Sequence, residues 1–566
     1  MNPPRRGLPV NVFLPRAAGR TGLGRLVAVV LSALGPSWRA APFRRLLQLA
    51  ALSAFLHLLF LAAWPYDFAP GLLEARSWLP PEVFLWLDPL AGVATAVAGR
   101  AWNAALFGGV IVLGVGVLLP RAFCGCLCPL GTLIDGFDRL VARRVKSLHV
   151  RRPGRWRHAR FYLLAGLLAA AACGVTLGGF VTPIPLLTRG LQFSAGRAHL
   201  GLAKNWGMVP PADAGLWLAV LLLAGVLLLG LLGRRFWCRF VCPSGAMLSL
   251  ASLMRIGGRR VSGACVRCGR CTEVCDFGAI TADFDVRPTD CTSCQTCGGV
   301  CPTGAIRFAV GDRGGIDAPA APPDAPDASA APARASDARP LSRRGVLAAA
   351  VGGAAAAIAT DPAVAGLGGP SPALLRPPGS VEERQFLQLC IRCGECFRVC
   401  PGSVLQPSQP ANGLNALWTP VAVPAHAGCH QDCNFCTQVC PTGAIRPLSL
   451  EQKRRTHMGL AVIHARTCLP HAGRQDCQLC FEECEAAGYH AIEMRTIHLP
   501  VGDVPEGAFS QVELEDMGRI LAPFVDPAAC VGCGLCEYRC HSVNVRQRKL
   551  LDSSAVVIRP ENQDRT

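Results

Sequence analysis

The chain has 566 residues, 51% of them hydrophobic and 17% charged, with a formal net charge of +18 and 30 cysteines. A charged fraction so far below the ~25% of average soluble domains excludes a wholly soluble or disordered protein. Four of the 56 basic residues are Lys and the rest are Arg, with no basic stripe and interleaved aromatics, so nucleic acid is not an expected partner. The length implies about three or four structural units. The cysteines fall mostly in repeated C-x2-C-x2-C-x3-C runs, a spacing that serves iron–sulfur ligation and not a disulfide scaffold.

Residues 1–40 read as a cytoplasmic tail, and residues 41–257 as a membrane α-helical bundle. A bilayer crossing needs about 20 apolar residues. Four segments meet or approach this: Leu46–Trp64, Ala101–Leu119, Phe161–Phe180 and Ala214–Leu232. The loop between the second and third carries Arg139, Arg143, Arg144, Lys146, Arg151, Arg152, Arg155, Arg157 and Arg160. The loop between the third and fourth carries Arg189, Arg197 and Lys204. This asymmetry places the first loop and both ends of the bundle in the cytoplasm. Core helices of a large soluble protein are the alternative, and they leave the charge alternation unexplained. The stretch Leu85–Val97, interrupted by Asp88 and Pro89, reads as interfacial or re-entrant structure on the outer face.

The second span ends in Arg121-Ala122-Phe123-Cys124-Gly125-Cys126-Leu127-Cys128-Pro129 and the fourth in Arg235-Phe236-Trp237-Cys238-Arg239-Phe240-Val241-Cys242-Pro243. In an α-helix, positions i and i+4 share a face. Cys124, Cys128, Cys238 and Cys242 are therefore candidates for a further metal or redox site, with Cys126 pointing elsewhere. Reduced, buried thiols are the alternative. Cys173, alone in the third span, reads as packing. His57, well inside the first span, is a polar spot or a quinone-site residue.

Residues 258–310 read as a cytoplasmic two-cluster ferredoxin domain. Its runs are Cys265, Cys268, Cys271, Cys275 and Cys291, Cys294, Cys297, Cys301. In two-cluster ferredoxins the fourth Cys of each run serves the other cluster. The expected ligand sets are Cys265, Cys268, Cys271 with Cys301, and Cys291, Cys294, Cys297 with Cys275. Asp276 stands where a Pro is usual. Residues 311–340 are an Ala/Pro/Asp linker. Within 341–368, Ser342-Arg343-Arg344 precedes a modest apolar run, as in a twin-arginine export signal or an uncleaved anchor; an Ala-rich linker helix is the alternative. Residues 380–548 hold four more groups: Cys390, Cys393, Cys396, Cys400; Cys429, Cys433, Cys436, Cys440; Cys468, Cys477, Cys480, Cys484; and Cys530, Cys533, Cys536, Cys540. They fit four cubanes in two α+β ferredoxin-like pairs, and the spacing does not say whether the pairs are sequential or nested. Residues 549–566 form a tail. The expected complement is six 4Fe–4S clusters. No C-x2-C-H motif supports haem, and no nucleotide loop or catalytic residue is identified.

These features carry a resemblance. Residues 40–308, with four spans, two C-x3-C-P motifs and the ferredoxin, resemble the NapH membrane ferredoxin-type proteins. Residues 341–548 resemble the exported NapG and MauM four-cluster proteins, so the chain reads as a fusion of the two types. The C-x3-C-P pair is shared with the NosR and RdxA/CcoG groups. The resemblance implies a bacterial inner-membrane quinol dehydrogenase component that passes electrons from the quinol pool to a periplasmic cytochrome or reductase, nitrate reductase first by family. The loop around Trp78–Trp86 and the third–fourth span loop are candidates for the quinol pocket. Two alternatives stand beside it: a redox assembly or maturation factor for a metalloenzyme, and a C-terminal module that stays cytoplasmic.

Overall fold

The computed structural model describes residues 40–60, 80–145, 156–203, 206, 209, 212–281, 283–310, 315–316, 341–361, 373–498 and 519–560. The end of the first expected span, most of the 311–340 linker and most of the Trp78–Trp86 loop's upstream flank lie outside them. The chain divides into two compact units. One comprises Met1–Ala62, Val83–Gly190 and Ala219–Ala359; the other comprises Ala63–Glu82, Leu191–Leu218 and Thr360–Thr566.

The first unit is built on helices α1 (Pro42–Phe60), α2 (Pro89–Gly99), α3 (Ala104–Leu118), α4 (Pro129–Leu140), α5 (Ala159–Ala172), α6 (Pro183–Leu191), α7 (Ala214–Leu228, whose residues up to Leu218 belong to the second unit), α8 (Pro243–Ala251) and α9 (Arg343–Thr360). Among the described residues, two helical stretches are long and apolar enough to cross a membrane, Pro42–Phe60 and Ala214–Leu232. The other two expected spans are shorter. At 1.5 Å per residue, α3 rises about 22 Å, less than the ~30 Å of a hydrocarbon core. The third expected span stops as α5 at Ala172, because Gly174 takes a left-handed backbone (φ 87°) and closes the helix end. Both α3 and α7 leave an apolar face uncovered, with Phe107, Ile111, Trp217 and Leu221 exposed.

The Leu85–Val97 stretch, expected to be interfacial or re-entrant, is buried among helices. Asp88, completely buried, caps α2 by accepting from Leu90 N (3.3 Å) and Ala91 N (3.5 Å), with Pro89 in the first turn. It also accepts from Ser244 Oγ (2.7 Å) and Ile184 N (3.4 Å), and so joins α2 to α6 and α8. A Cβ on Gly92 would fall 2.2 Å from the Ala105 carbonyl, so α2 and α3 meet backbone to backbone. The interior position follows from this polar hub, which the apolar run alone did not reveal. Between α5 and α9, Gly166 and Gly353 make a similar close approach, and Ser342 N donates to Tyr162 Oη (3.3 Å).

The unit's small sheet lies beyond α8. Strand β1 (Gly257–Val261) pairs antiparallel with β2 (Ile306–Val310), from Gly257↔Val310 to Val261↔Ile306, and parallel with β3 (Gly315–Ile316). The two cysteine runs lie between β1 and β2.

In the second unit, three antiparallel pairs frame four cysteine runs. They are β4 (Leu405–Pro407) with β5 (Pro420–Ala422), β6 (Leu460–Ile463) with β9 (Val556–Arg559), and β7 (Ile492–His498) with β8 (Arg519–Val525). Helices α10 (Glu383–Leu389), α11 (Leu479–Ala486) and α12 (Leu535–Cys540) support them. The core mixes Val399, Leu405, Ile492 and Val556 with Cys436, Cys468, Cys480, Cys536 and Cys540.

Replacing Asp88 by Ala strands the hydroxyl of Ser244 and three backbone N–H groups in the interior. The expected cost is about 2–4 kcal/mol, read as a fall of at least about 4 °C in apparent Tm of the detergent-solubilised chain.

Candidate iron–sulfur centres

Four of the six runs wind by the same device. The residue before the second Cys and the residue after it both have positive φ: Arg267 (48°) and Gly269 (75°), Ser293 (49°) and Gln295 (59°), Arg392 (57°) and Gly394 (86°), Gly532 (69°) and Gly534 (79°). Four of these eight are not glycine, in a region side chains rarely enter, which marks a functional constraint on the loop. Each pair is followed by a single turn or short helix carrying the third Cys. The two runs with altered first gaps lack the device at that point: Asn434 and Gln478, after Cys433 and Cys477, have φ −130° and −121°.

The first unit brings Cys265, Cys268, Cys271 and Cys301 around one hollow of about 340 Å³. Cys297 lies within electrostatic reach of Cys294, Cys291 and Cys275, which gather as the second set. In the second unit, Cys390, Cys393 and Cys396 share a hollow of about 380 Å³ with Cys440. Cys436 faces Cys429, Cys400 and Cys433. Cys468, Cys477 and Cys480 share a hollow of about 360 Å³ with Cys540, and Cys536 faces Cys533, Cys530 and Cys484. The fourth Cys of every run thus joins its neighbour's set, and the pairs are sequential.

The donor sets fit iron–sulfur clusters. Backbone N–H groups point at the sulfurs that cross over: Ala279 N to Cys275 Sγ (3.3 Å), Ile445 N to Cys440 Sγ (3.4 Å) and Ala491 N to Cys484 Sγ (3.3 Å). Such donors stabilise thiolate charge and tune cluster potential. Burial pushes the Cys433 and Cys533 thiols up to about 12 and Cys468 up to about 11, so thiolates in these hollows require a cationic centre. Among the described residues, no three His, Cys, Asp or Glu converge tightly enough to hold a single metal ion. Three of the quartets instead surround hollows, those of Cys265, Cys390 and Cys468, as the corners of a polynuclear cluster require.

The expected α-helical basis for the C-x3-C-P site is corrected by the structure. Phe123–Leu127 and Trp237–Val241 are π-helical turns, closed by Cys128 N to Phe123 O (2.9 Å) and Cys242 N to Trp237 O (2.8 Å). The wider turn arises because Pro129 and Pro243 cannot continue a helix from the preceding residue, so Cys128 and Cys242 are extended and new helices begin. The four cysteines still come together: Cys242 is within electrostatic reach of Cys124, Cys238 and Cys128. Cys126 turns away, toward Cys294. His57 lies on the exposed side of α1, and Cys173 caps α5.

Sequence reasoning missed the residues that join the ferredoxin to these turns. Asp276, the departure from Pro, ion-pairs with Arg45 (3.5 Å) and Arg234 (4.0 Å). Phe277 sits under the guanidinium of Arg235 (4.5 Å) and that of Arg121 (5.6 Å). Asp135 bonds Arg45 (2.5 Å) and Arg235 (2.5 and 2.6 Å). Burial pushes Asp135 up, but Arg235 and Arg45 hold it well below the usual carboxylate range; Asp138, also buried, is pushed up to about 6. Arg44 Nε donates to Gly125 O (3.0 Å) and its Nη1 to Thr296 Oγ1 (3.5 Å). Burial pushes the Cys294 thiol up, yet Arg44 and the Thr296 hydrogen bonds bring it below its ordinary value. The available signal was the shared offset of Arg121 and Arg235, each three residues before its motif's first Cys.

A family model described as a 4Fe-4S binding domain matches residues 103–147 and 214–261, the segments that carry the two C-x3-C-P turns. The chain is similar to the methylamine utilization ferredoxin-type protein MauM of Methylobacillus flagellatus, 32% identical over 177 residues, covering 30% of this chain and 65% of that protein. It is similar to the ferredoxin-type protein NapG of Escherichia coli, 34% identical over 29% of this chain and 65% of NapG. It is also similar to the ferredoxin-type protein MauN of Paracoccus denitrificans, 33% identical over 41% of this chain and 74% of MauN. The chain belongs to this family of MauM/NapG and MauN ferredoxin-type iron–sulfur proteins. It spans about 65% of the length of the first MauM relative and of NapG. No solved structure matches.

The crossed pairing is directly testable. In Cys440→Ala, the altered electron paramagnetic resonance (EPR) signal should be that of the cluster at Cys390, Cys393 and Cys396, and Cys400→Ala should affect the cluster at Cys429, Cys433 and Cys436. Each variant altering its own run's cluster instead would refute the pairing.

Proposed function

We propose that the chain is a membrane-bound iron–sulfur electron-transfer protein, the quinol-oxidising component of a system that delivers electrons to a periplasmic reductase or cytochrome. The observation that supports this reading is that each ferredoxin module packs on a different interhelical segment within its own unit. The 258–310 module packs on the turns after α3 and α7, at ends that the Arg-rich loop assigns to the cytoplasm. The C-terminal module packs on residues 191–218, the loop that the same charge pattern assigns to the outer side. There Gln192 Nε2 donates to Gly394 O (3.0 Å), Trp418 Nε1 donates to Gly215 O (2.7 Å), and Phe193 stacks on Phe397 at 6.3 Å. The exposed apolar side chains of α3 and α7, among them Phe107, Ile111, Trp217 and Leu221, suit a lipid surround.

In this reading the first half is NapH-like and the second NapG/MauM-like, exported behind a twin-arginine signal that remains as the anchor α9. The 24 ferredoxin cysteines hold six 4Fe–4S clusters in the crossed sets above. A bound cluster supplies one-electron storage without making or breaking bonds to substrate. The chain's residues do the rest. The cysteines fix the centres, the N–H donors and Arg44 set the local charge, and the apolar core around Cys436 and Cys536 excludes water. Nitrate reductase, named through the NapG likeness, is the first partner to test.

The test uses anaerobic membranes carrying the full chain. A short-chain quinol should develop the reduced-cluster EPR signal, and a reporter fused after Thr566 should be active only in the periplasm. Reduction by dithionite but not by quinol would overturn the quinol role and favour a maturation factor. A cytoplasmic reporter would overturn the topology.

A further inference from the structure

We propose that the four centres of the second unit lie in single file, in the order of the Cys390, Cys429, Cys530 and Cys468 sets, and that the crossing between the two pairs is a Cys429–Cys533 contact with Tyr489 as its positioning residue. The direction of travel rests on the electron-transfer reading; the order is tested without quinol.

The outer sets are separate. The hollow of Cys390, Cys393, Cys396 and Cys440 is lined by residues 386–445, and that of Cys468, Cys477, Cys480 and Cys540 by residues 463–556, so the two share no wall. Each outer set instead adjoins its own pair's inner set: Cys396 lies within electrostatic reach of Cys436, and Cys480 within reach of Cys536.

The pairs meet at their inner sets. Cys429 N donates to Cys533 O (2.8 Å), so a ligand residue of one pair is hydrogen-bonded to a ligand residue of the other. The contact extends to Met458 N, which donates to Val531 O (2.9 Å), and to His457 Nδ1, 3.0 Å from Cys530 O. Glycines let the backbones close. A Cβ on Gly428 would lie 2.5 Å from the Leu535 side chain, one on Gly534 would lie 2.7 Å from Pro424, and one on Gly532 would clash with Gly459 O. Gly532 and Gly534 therefore serve twice: they wind the run at positive φ and admit the other pair. Of the four runs wound this way, this one alone has Gly at both positions.

Tyr489 stands at the junction. Its backbone N donates to the carbonyl of Cys484 (3.2 Å), the ligand that crosses into the Cys530 set. Its hydroxyl is buried, has no hydrogen-bond partner among the described residues, and lies within electrostatic reach of Cys533 and Cys429. Arg454 and Asp432, also within reach, ion-pair with each other. A buried hydroxyl left unbonded is costly, and a phenol O–H can donate to sulfur that carries negative charge. Such a bond favours the more negative, reduced state and raises the potential.

Segment 191–218, in the same unit, packs on the Cys390 set. Gln192 binds Gly394 O, Phe193 stacks on Phe397, and Trp418, which lines the hollow, binds Gly215 O. Electrons entering here leave from the Cys468 set, where buried Asn544 Nδ2 donates to Cys477 Sγ (3.6 Å) and Cys540 Sγ (3.9 Å) and favours reduction. Each transfer moves one electron, oxidising the centre it leaves and reducing the centre it enters; no bond forms or breaks.

The experiment is a potentiometric EPR titration with dithionite of the anaerobically purified full-length protein, beside Tyr489→Phe, with Cys433→Ala and Cys533→Ala assigning the two junction signals. In the wild-type protein these signals should broaden each other when both centres are reduced; no magnetic interaction between them would overturn the order. Tyr489→Phe should lower the potential of at least one junction centre and leave the outer two unchanged. No shift, or a shift of an outer centre alone, would refute its role. In Cys533→Ala, a short-chain quinol should reduce the Cys390 centre and leave the Cys468 centre oxidised, although dithionite still reduces it; quinol reduction of that centre at the wild-type rate would overturn the single file. If quinol reduces no centre even in the wild-type protein, the quinol reading fails and the dithionite measurements alone decide the order. They also decide it if Cys533→Ala does not accumulate.

Discussion

A buried ionic layer holds the first unit together. Asp135 binds Arg45 and Arg235, Asp276 adds to Arg45, and Arg160 pairs with Asp290 at 2.6 Å. Such pairs give little net stability over an apolar core, because desolvation offsets attraction, but losing one partner costs about 3–5 kcal/mol. They therefore act as a registration device. Asp276 and Phe277, directly after Cys275, can face the helix turns only if the ferredoxin loop lies against the C-x3-C-P motifs. The relation between the two thiol sites follows from that placement.

The second constraint is backbone conformation. A run of three cysteines in seven residues can surround a cluster only if the chain reverses between them, and the paired left-handed residues provide the reversal. Where glycine is available, as at Gly532 and Gly534, this is cheap. Where Arg392 or Ser293 takes the position, the strain is held by its surroundings. Arg392 Nη2 donates to Asn415 O (2.7 Å) and its Nε to Leu417 O (3.2 Å), so a strained residue becomes a strut for the loop.

Much of this was legible in the sequence. The cysteine spacing pointed to the runs that the structure gathers, and the duplicated C-x3-C-P motif pointed to Cys124, Cys128, Cys238 and Cys242 before any geometry. What was not legible depended on tertiary context. The Leu85–Val97 stretch read as interfacial or re-entrant because Asp88 looked like an interruption; what spacing could not show is that its carboxylate is satisfied by Ser244 and Ile184, far away in sequence. The order of the C-terminal pairs could not be read from spacing; it became visible when Cys440 joined Cys390 and Cys540 joined Cys468. Gly174 ended α5 early by a left-handed turn that hydropathy does not record. The role of Asp276 was hidden because its partners are far away in sequence, Arg45 on α1 and Arg234 in the turn before the second C-x3-C-P motif.

The most direct measurement is a cryo-EM map of the anaerobically purified, full-length protein in nanodiscs. Iron-rich density should lie among all six ferredoxin cysteine sets, with Cys301, Cys275, Cys440, Cys400, Cys540 and Cys484 each bonded to the neighbouring run's cluster. The density bounded by Cys275, Cys291, Cys294 and Cys297 should lie against the Cys124 and Cys238 turns. Density ligated by the four cysteines of single runs, or a ferredoxin module detached from those turns, would contradict this arrangement.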